Sequence, residues 1–326
     1  MMLFFQPFIH VYRKIQQINP VLTGFFPYPA IFRLNHSALC LFMLLIMSTG
    51  PGASIAGSNY FMEKEIALAL QAHEPDENII WLETDEKRPV LAVRSPSNSV
   101  DLQGGIIILA DLYQPPDWPV VIHGLRKYLP DYGWETLSVQ LPIPEDNTSN
   151  PDLEELYTLT KGRIEAAISY FNNNNINNIS LVAINQSANF SLKYAASLPV
   201  DSDKIQSIVS IRAYDTDWLA SSNMLKFISL PVLDVFPEHD DDGILQSAKK
   251  RLSAAGFSAK RNTRPRKVRL SSKVQKLAIN KTGNLRYRQK MINGANYRFY
   301  KLESTLFKAI RGWLGVYASG SRVTVN

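Results

Sequence analysis

The sequence predicts an α/β sandwich, in which helices cover both faces of a mostly parallel sheet. From Gly104 onward, strand-like apolar segments alternate with helical segments, a pattern typical of parallel sheets. The first of these strand segments, GIIILA at 105–110, is apolar at every position, as strands buried on both faces must be. With 326 residues and 45% hydrophobic residues, the chain is long enough to bury a large core.

The elements before Gly104 are a helix and a hairpin. Residues 58–77 predict a short amphipathic helix with Phe61 and Leu68 among its apolar positions. Residues 79–96 predict a hairpin, because two apolar stretches flank a charged turn.

The alternating part begins with the strand at 105–110. The next helix is predicted to open at Pro119, where a missing N–H costs nothing, and to end at Gly133. WETLSVQLP at 134–142 predicts the following strand, and Pro151 marks the start of a helix with acidic residues in its first turn.

ISLVAI at 179–184 predicts the central strand of the sheet. Further strands are predicted at 205–211, 230–236 and 285–292, the last of them at an edge of the sheet. Apolar residues at helical spacing from Leu302 to Leu314 predict the final helix.

Residues 1–57 predict an N-terminal leader. The run 38–57 carries no charge, its densely apolar part is too short to span a membrane, and small residues follow near Ser54. This pattern favours a cleaved signal peptide and export to the bacterial periplasm. The alternatives are an uncleaved inner-membrane anchor and a start codon placed too early. The predicted globular domain covers 78–318 and is followed by a short tail at 319–326.

The charge of the chain is segregated. Its net charge is +6, yet the stretch from Gly243 to Leu302 holds 17 Lys and Arg and no acidic residue. Within it, an apparent basic insertion at about 258–272 makes Arg264, Arg266, Lys267 and Arg269 candidates for binding an anion. The only cysteine, Cys40, excludes an intrachain disulfide and a cysteine metal site.

Two long motifs carry a resemblance to a known family. GGIIILADLYQPPDWPVVIHGLRKYLPDYGWETLSVQLP and YRQKMINGANYRFYKLESTLFKAIRGWL are similar to the front and tail of an exported bacterial family of unknown function (DUF3530-like). The resemblance covers about residues 78–316 and implies an α/β-hydrolase fold. That fold carries its nucleophile on a sharp turn after a central strand, between small residues.

The catalytic positions that the resemblance implies are mostly changed. The nucleophile position falls on Asn185, whose carboxamide has neither a labile proton nor a basic lone pair. The family's histidine position falls on Tyr297, and no histidine follows His239. The acid position falls on Asp240. Ala110 and Asp111 replace the His-Gly expected near the oxyanion donors.

Other reactive residues have simpler interpretations. Ser187 is the small residue that the turn needs, and His123 is a surface or cap histidine. The acidic run around His239 lacks the ligand spacing of a calcium loop, so we expect a solvated loop there. We expect neither a metal nor a cofactor.

The sequence therefore favours a non-catalytic envelope protein that binds a small ligand or an envelope protein at the degenerate cleft. The residues predicted to line that cleft are Ala110, Asp111, Asn185, Gln186, Asp240 and Tyr297.

Two alternatives remain open. One is a weak hydrolase or esterase that activates water through Asp240 or Asp111. The other is a structural protein that binds an anionic membrane or polysaccharide through residues 249–290. Nucleic acid is a less favoured partner, because few aromatic residues interrupt the basic block.

Overall fold

Eight strands form one sheet in the order β1-β2-β4-β3-β5-β6-β7-β8. The computed structural model describes residues 58–86, 88–144, 152–256 and 287–318. Within these ranges the strands are β1 Ile79–Leu82, β2 Val90–Ser95, β3 Gly104–Leu109, β4 Trp134–Val139, β5 Ile179–Ile184, β6 Ser207–Ile211, β7 Val232–His239 and β8 Tyr287–Asn296. The helices are α1 Tyr60–Gln71, α2 Val121–Tyr128, α3 Leu153–Asn173, α4 Gln186–Ser197, α5 Ser221–Met224, α6 Asp242–Ala254 and α7 Glu303–Tyr317.

The sheet is parallel from β4 to β8, while β1 and β2 pair antiparallel at one end. Helices α3 and α4 pack on one face, and α2 and α7 pack on the other. Strands β3, β4, β5 and β6 are buried along their whole length, which explains the continuous apolar run of β3, while β4 also buries Glu135, Thr136 and Ser138. The predicted α/β sandwich is confirmed.

Two details differ from the sequence prediction at the N-terminal side. Helix α2 begins at Val121 and not at Pro119, because Val120 takes φ 75° and the Val121 N–H bonds the Pro119 carbonyl in a tight turn. On α1, Phe61 and Leu68 are exposed, and the buried positions are Glu63, Ala67 and Leu70. The apolar residues of this helix therefore do not all face the core.

The region after β7 differs as well. The predicted acidic loop is short, since β7 runs to His239 and α6 begins at Asp242. Arg251, inside the predicted basic surface at 249–290, is fully buried, and its Nε donates to Asp234 at 2.8 Å. That arginine is therefore unavailable to an anionic partner.

Several predictions fall on residues outside the described ranges. These are the leader at 1–57, the insertion at about 258–272 with Arg264, Arg266, Lys267 and Arg269, and the tail at 319–326. The domain boundaries and the anion-binding role stay predictions. The helices inside the described ranges are each too short or too polar to cross a bilayer.

Candidate functional site at the turn between β5 and α4

Asn185 stands alone between the end of β5 and the start of α4. Its backbone takes φ 56° and ψ −122°, so the chain reverses there within one residue. This region of backbone space is costly for residues with a side chain, by about 1–3 kcal/mol, and is often retained at functional turns. The turn lifts the Asn185 side chain to the carboxyl edge of the sheet.

The hydroxyl group of Ser187 stabilises the turn through hydrogen bonds to the backbone. It is fully buried, and its Oγ donates to carbonyl oxygens at the ends of β3 and β5 while accepting from the Ile184 N–H at 3.0 Å. The hydroxyl is thus committed to backbone groups. This matches its interpretation as the small residue that the turn needs.

Asp111, two residues after β3, contacts the turn directly. One carboxylate oxygen, Oδ1, accepts from the backbone N–H of Gln186 at 3.0 Å and from that of Leu112 at 2.9 Å. The other, Oδ2, accepts from Asn185 Nδ2 at 2.9 Å. In α/β-hydrolases the N–H after the nucleophile and an N–H from the loop after this strand form the oxyanion hole. Here a carboxylate of the chain itself lies between those two donors.

The environment of Asp111 shifts its acidity. Burial raises the pKa of its carboxyl group above the ordinary value, although the bonds from Asn185, Gln186 and Leu112 and the charge of Arg212 act in the opposite direction. The net rise shows that loss of hydration outweighs the donors. The charged form of the carboxyl group is therefore less favourable here than in water.

Arg212 links Asn185 to Asp240. It was not among the site residues predicted from the sequence. It follows β6 directly, again with a positive φ of 56°. One guanidinium nitrogen donates to Asn185 Oδ1 at 3.0 Å, while two others donate to the two oxygens of Asp240 at 2.6 and 2.7 Å. Only one orientation of the Asn185 amide satisfies both Asp111 and Arg212.

Asp240 is fixed by this pairing. Its side chain is 1% exposed, and Oδ1 also accepts from the backbone N–H of Asp241 at 2.8 Å. The bonds and charge of Asp240 raise the pKa of Arg212 despite the opposing effect of burial. Asp111, Asn185, Arg212 and Asp240 thus form one hydrogen-bonded chain, which we call the elbow network.

The other predicted residues lie around this network. Tyr297 is half exposed, and its ring centroid is 5.9 Å from the Arg212 guanidinium carbon. Ala110 is fully buried behind Asp111. Gln186 is buried, and its Oε1 accepts from Asn189 at 3.3 Å.

A cleft of about 350 Å³, the elbow cleft, opens beside the network. It is lined by Asp111, Asn185, Arg212, Tyr214, Asp215, Asp241, Gly243 and Ile244. Of the six residues predicted to line it, only Asp111 and Asn185 do so. Asp240 lies behind Arg212, since the guanidinium covers both of its oxygens. No group of three His, Cys, Asp or Glu within the described ranges is placed to hold a metal ion.

A signal for Arg212 does exist in the sequence. Asp111, Asn185, Arg212 and Asp240 each come within two residues of the carboxyl end of a different parallel strand. Such ends meet at one edge of the sheet, where ligands bind in open α/β folds. Arg212 comes directly after the strand segment IQSIVSI. The expectation that residues just after parallel strands lie at a ligand site therefore points to Arg212 as well.

Comparison with solved structures shows the fold. The protein has TM-scores of 0.52 with dienelactone hydrolase from Anabaena variabilis, 0.51 with Est1E from Butyrivibrio proteoclasticus and 0.51 with an α/β serine hydrolase without lid from Xanthomonas campestris. The identities are 13%, 11% and 13%; the matches cover 74%, 73% and 73% of this chain and 97%, 98% and 93% of the others. At such identities the likeness shows the fold alone.

The family comparison bears on the front of the domain. No curated protein matches the sequence. Residues 60–161 match the family described as "Protein of unknown function (DUF3530)". This segment contains the Pro-Asp-Trp-Pro and Trp-x-Thr-Leu-Ser-x-Gln-Leu-Pro strings on which the resemblance was based. The resemblance is therefore confirmed in its front part: residues 60–161 match this family of unknown function, and the chain has the α/β-hydrolase fold.

Proposed function

We propose that the protein is a non-catalytic α/β-hydrolase-fold protein that binds a ligand or partner at the elbow cleft. The observation that carries the proposal is the position of the Asp111 carboxylate. Its Oδ1 accepts hydrogen bonds from the Gln186 and Leu112 backbone N–H groups, which in the fold stabilise an oxyanion.

Asp111 opposes acyl transfer in two ways. It uses the donors that a substrate carbonyl would need, and its negative charge repels a second developing negative charge at the same place. Removing one oxyanion donor from a hydrolase costs about 10²–10³ in turnover, and here both backbone donors are engaged.

The other catalytic roles lack suitable groups. Asn185 is no nucleophile, and both ends of its amide are bonded within the network. The alternative of water activation by Asp240 is disfavoured, since the carboxylate is paired with Arg212 through both oxygens. Asp111 is likewise bonded through both oxygens.

The lining of the elbow cleft supports a ligand with hydrogen-bond donors. Three carboxylates, from Asp111, Asp215 and Asp241, line it beside the single guanidinium of Arg212. Arg212 is already neutralised by Asp240, and Lys250 lies 3.5 Å from Asp215, which leaves Asp111 and Asp241 as the carboxylates without a lysine partner. A neutral polyhydroxylated or amine-bearing ligand thus fits this lining better than an anion.

The compartment belongs to the same proposal. An uncharged run precedes the domain at 38–57 and supports export to the bacterial periplasm, or attachment to the inner membrane with the domain facing the periplasm.

The test is an ester-hydrolysis assay of the purified full chain with p-nitrophenyl acetate, butyrate and octanoate. We expect rates equal to those of buffer. The Asn185→Ala and Asp240→Asn variants separate the alternatives. Turnover that survives Asn185→Ala contradicts both the assignment of the cleft and the absence of catalysis, and turnover that disappears in Asp240→Asn establishes the water-activating hydrolase.

A further inference from the structure

A second crevice, distinct from the elbow cleft, lies between α1 and the β1–β2 hairpin. Its volume is about 430 Å³, and it shares no lining residue with the elbow cleft. Small-molecule sites typically measure about 300–1,000 Å³. Most of the lining is apolar, from Tyr60, Ala67, Leu68, Trp81, Pro89, Val90 and Leu91. We call it the α1 crevice.

The walls of the α1 crevice are held in place by a buried arginine. The Arg163 side chain is fully buried and donates to Glu63 of α1 at 3.1 Å and to Glu86 of the hairpin turn at 2.7 Å. The Asn59 N–H before α1 also bonds the Ile143 carbonyl at 2.6 Å. The crevice is therefore formed before any ligand arrives, which lowers the ordering cost of binding.

Gln140 is the polar residue that indicates a ligand. It is 1% exposed, lines the crevice and belongs to the Trp-x-Thr-Leu-Ser-x-Gln-Leu-Pro string. Its Nε2 donates to the Leu141 carbonyl at 2.9 Å, which fixes the amide because the flipped form would oppose two oxygens. Its Oε1 accepts no hydrogen bond from any residue in the described ranges.

An unpaired buried acceptor costs about 1–3 kcal/mol, and a donor supplied by a ligand removes that cost. The backbone of Gln140 cannot shift to find a donor, since its N–H bonds the Leu91 carbonyl at 2.9 Å and its carbonyl accepts from Arg163 at 2.9 Å. The acceptor is thus held in position behind the lining of an apolar crevice, where the donor of a ligand reaches it once a lining side chain moves aside.

We propose that the α1 crevice binds a small amphiphile. Its hydroxyl or N–H group donates to Gln140 Oε1, and its apolar body packs against Leu68 of α1 and Trp81 of β1. This site is independent of the one proposed at the elbow cleft.

The experiment uses the full chain and two probes, 1-hexanol and its methyl ether, which differ in the donor. Titration calorimetry should show that the alcohol binds about threefold to tenfold more tightly than the ether, the effect of one hydrogen bond. In Gln140→Leu this preference should fall to about onefold, because the acceptor is gone.

A second variant keeps the test independent of Gln140 and of the fold. Leu68 is half exposed, so Leu68→Trp should fold and fill the crevice, weakening both probes by about tenfold or more. Val316→Trp, at an exposed apolar position on α7, is the control and should leave binding unchanged. The proposal is overturned if the alcohol does not bind, if alcohol and ether bind equally to the native chain, or if Leu68→Trp has no effect. The ester assay at the elbow cleft is unaffected by any of these outcomes.

Discussion

The elbow cleft and the α1 crevice satisfy their polar groups in opposite ways. At the elbow, the carboxylates of Asp111 and Asp240 and the amide of Asn185 all have hydrogen-bond partners, and only the neighbouring Gln186 Nε2 lacks one within the described ranges. At the crevice, Gln140 keeps one buried oxygen without a donor from the described part of the chain. The side chains at the elbow are thus partners for each other, while the crevice keeps an open acceptor.

The two regions also depend on arginine to different degrees. Arg163 at the crevice is fully buried and serves two carboxylates from different elements, whereas Arg212 at the elbow keeps 15% of its side chain exposed. Removal of Arg163 affects two carboxylates, 8% and 10% exposed, whereas removal of Arg212 affects one main partner, Asp240, which is 1% exposed. The number of carboxylates affected therefore favours a larger loss of stability at the crevice. Substitution of the arginines and carboxylates of the two regions, one at a time, tests this difference.

The largest loss of stability is expected for Arg163→Met. This change removes the main partner of the largely buried Glu63 and Glu86 carboxylates and leaves Glu86 only a 3.9 Å contact with Arg88, so the free energy of unfolding should fall by about 3–5 kcal/mol. Urea denaturation measures it. Lys204→Met, which removes a surface pair with Glu165, is the matched control and should cost less than about 1 kcal/mol. Equal losses in the two variants would contradict the role of Arg163 as the clamp of the crevice.

A smaller loss is expected for Arg212→Met, about 3 kcal/mol, because Asp240 and the Asn185 amide lose their donor. The double variant Arg212→Met with Asp240→Asn should recover about 1–3 kcal/mol of it, since the unpaired charge is removed as well. Denaturation of the three variants gives this coupling. Additive losses would show that the elbow network is not one unit.

The third effect concerns pH. Burial raises the folded-state pKa of Asp111, so the folded chain binds its proton more tightly than the unfolded chain does. The resulting stability is present below the ordinary value of 3.8 and is lost as pH rises through the raised value. In that window the free energy of unfolding should fall with pH more steeply in the native chain than in Asp111→Asn, by at most about 1.4 kcal/mol per pH unit.

Denaturation from pH 3 to pH 8 checks this difference, with the exposed Asp201→Asn as control. An identical pH dependence in the native chain and in Asp111→Asn would show that the carboxylate is not held at a cost. The oxyanion position would then be less tightly closed than the elbow network indicates.

The sequence predicted the fold because most of the strands and helices can be recognised from local patterns of apolar residues. Strands β3 and β5 are continuous apolar runs, and α7 repeats apolar residues at helical spacing, so each element is visible without knowledge of its neighbours. Helix α6 was not predicted, because its first residue belongs to an acidic run that favours a loop. The buried role of Arg251 was invisible for a related reason, since only the fold brings it to Asp234.

The positions of the site residues along the chain were predictable, but the hydrogen bonds between them were not. Asn185 and Asp111 follow apolar strands, at the positions where the resemblance to the hydrolase fold implies the nucleophile and the oxyanion loop. Their mutual hydrogen bond joins residues far apart in the chain, and no sequence spacing encodes it. The crevice depends on a single unpaired oxygen of Gln140, which can be recognised only when all surrounding donors have been placed.

The smallest effect is expected where the closed site is opened. Asp111→Ala removes the carboxylate and leaves the Gln186 and Leu112 N–H groups without their acceptor, a pair of donors suited to a small anion. Acetate should then bind with a dissociation constant of about 1–10 mM, a free energy of only about 3–4 kcal/mol. Chemical-shift changes at the two amides measure it, and the native chain, whose own carboxylate competes, should show none. Acetate shifts of equal size in both proteins would mean that Asp111 does not close the oxyanion position, and the elbow would then resemble the crevice in keeping an open group for a ligand.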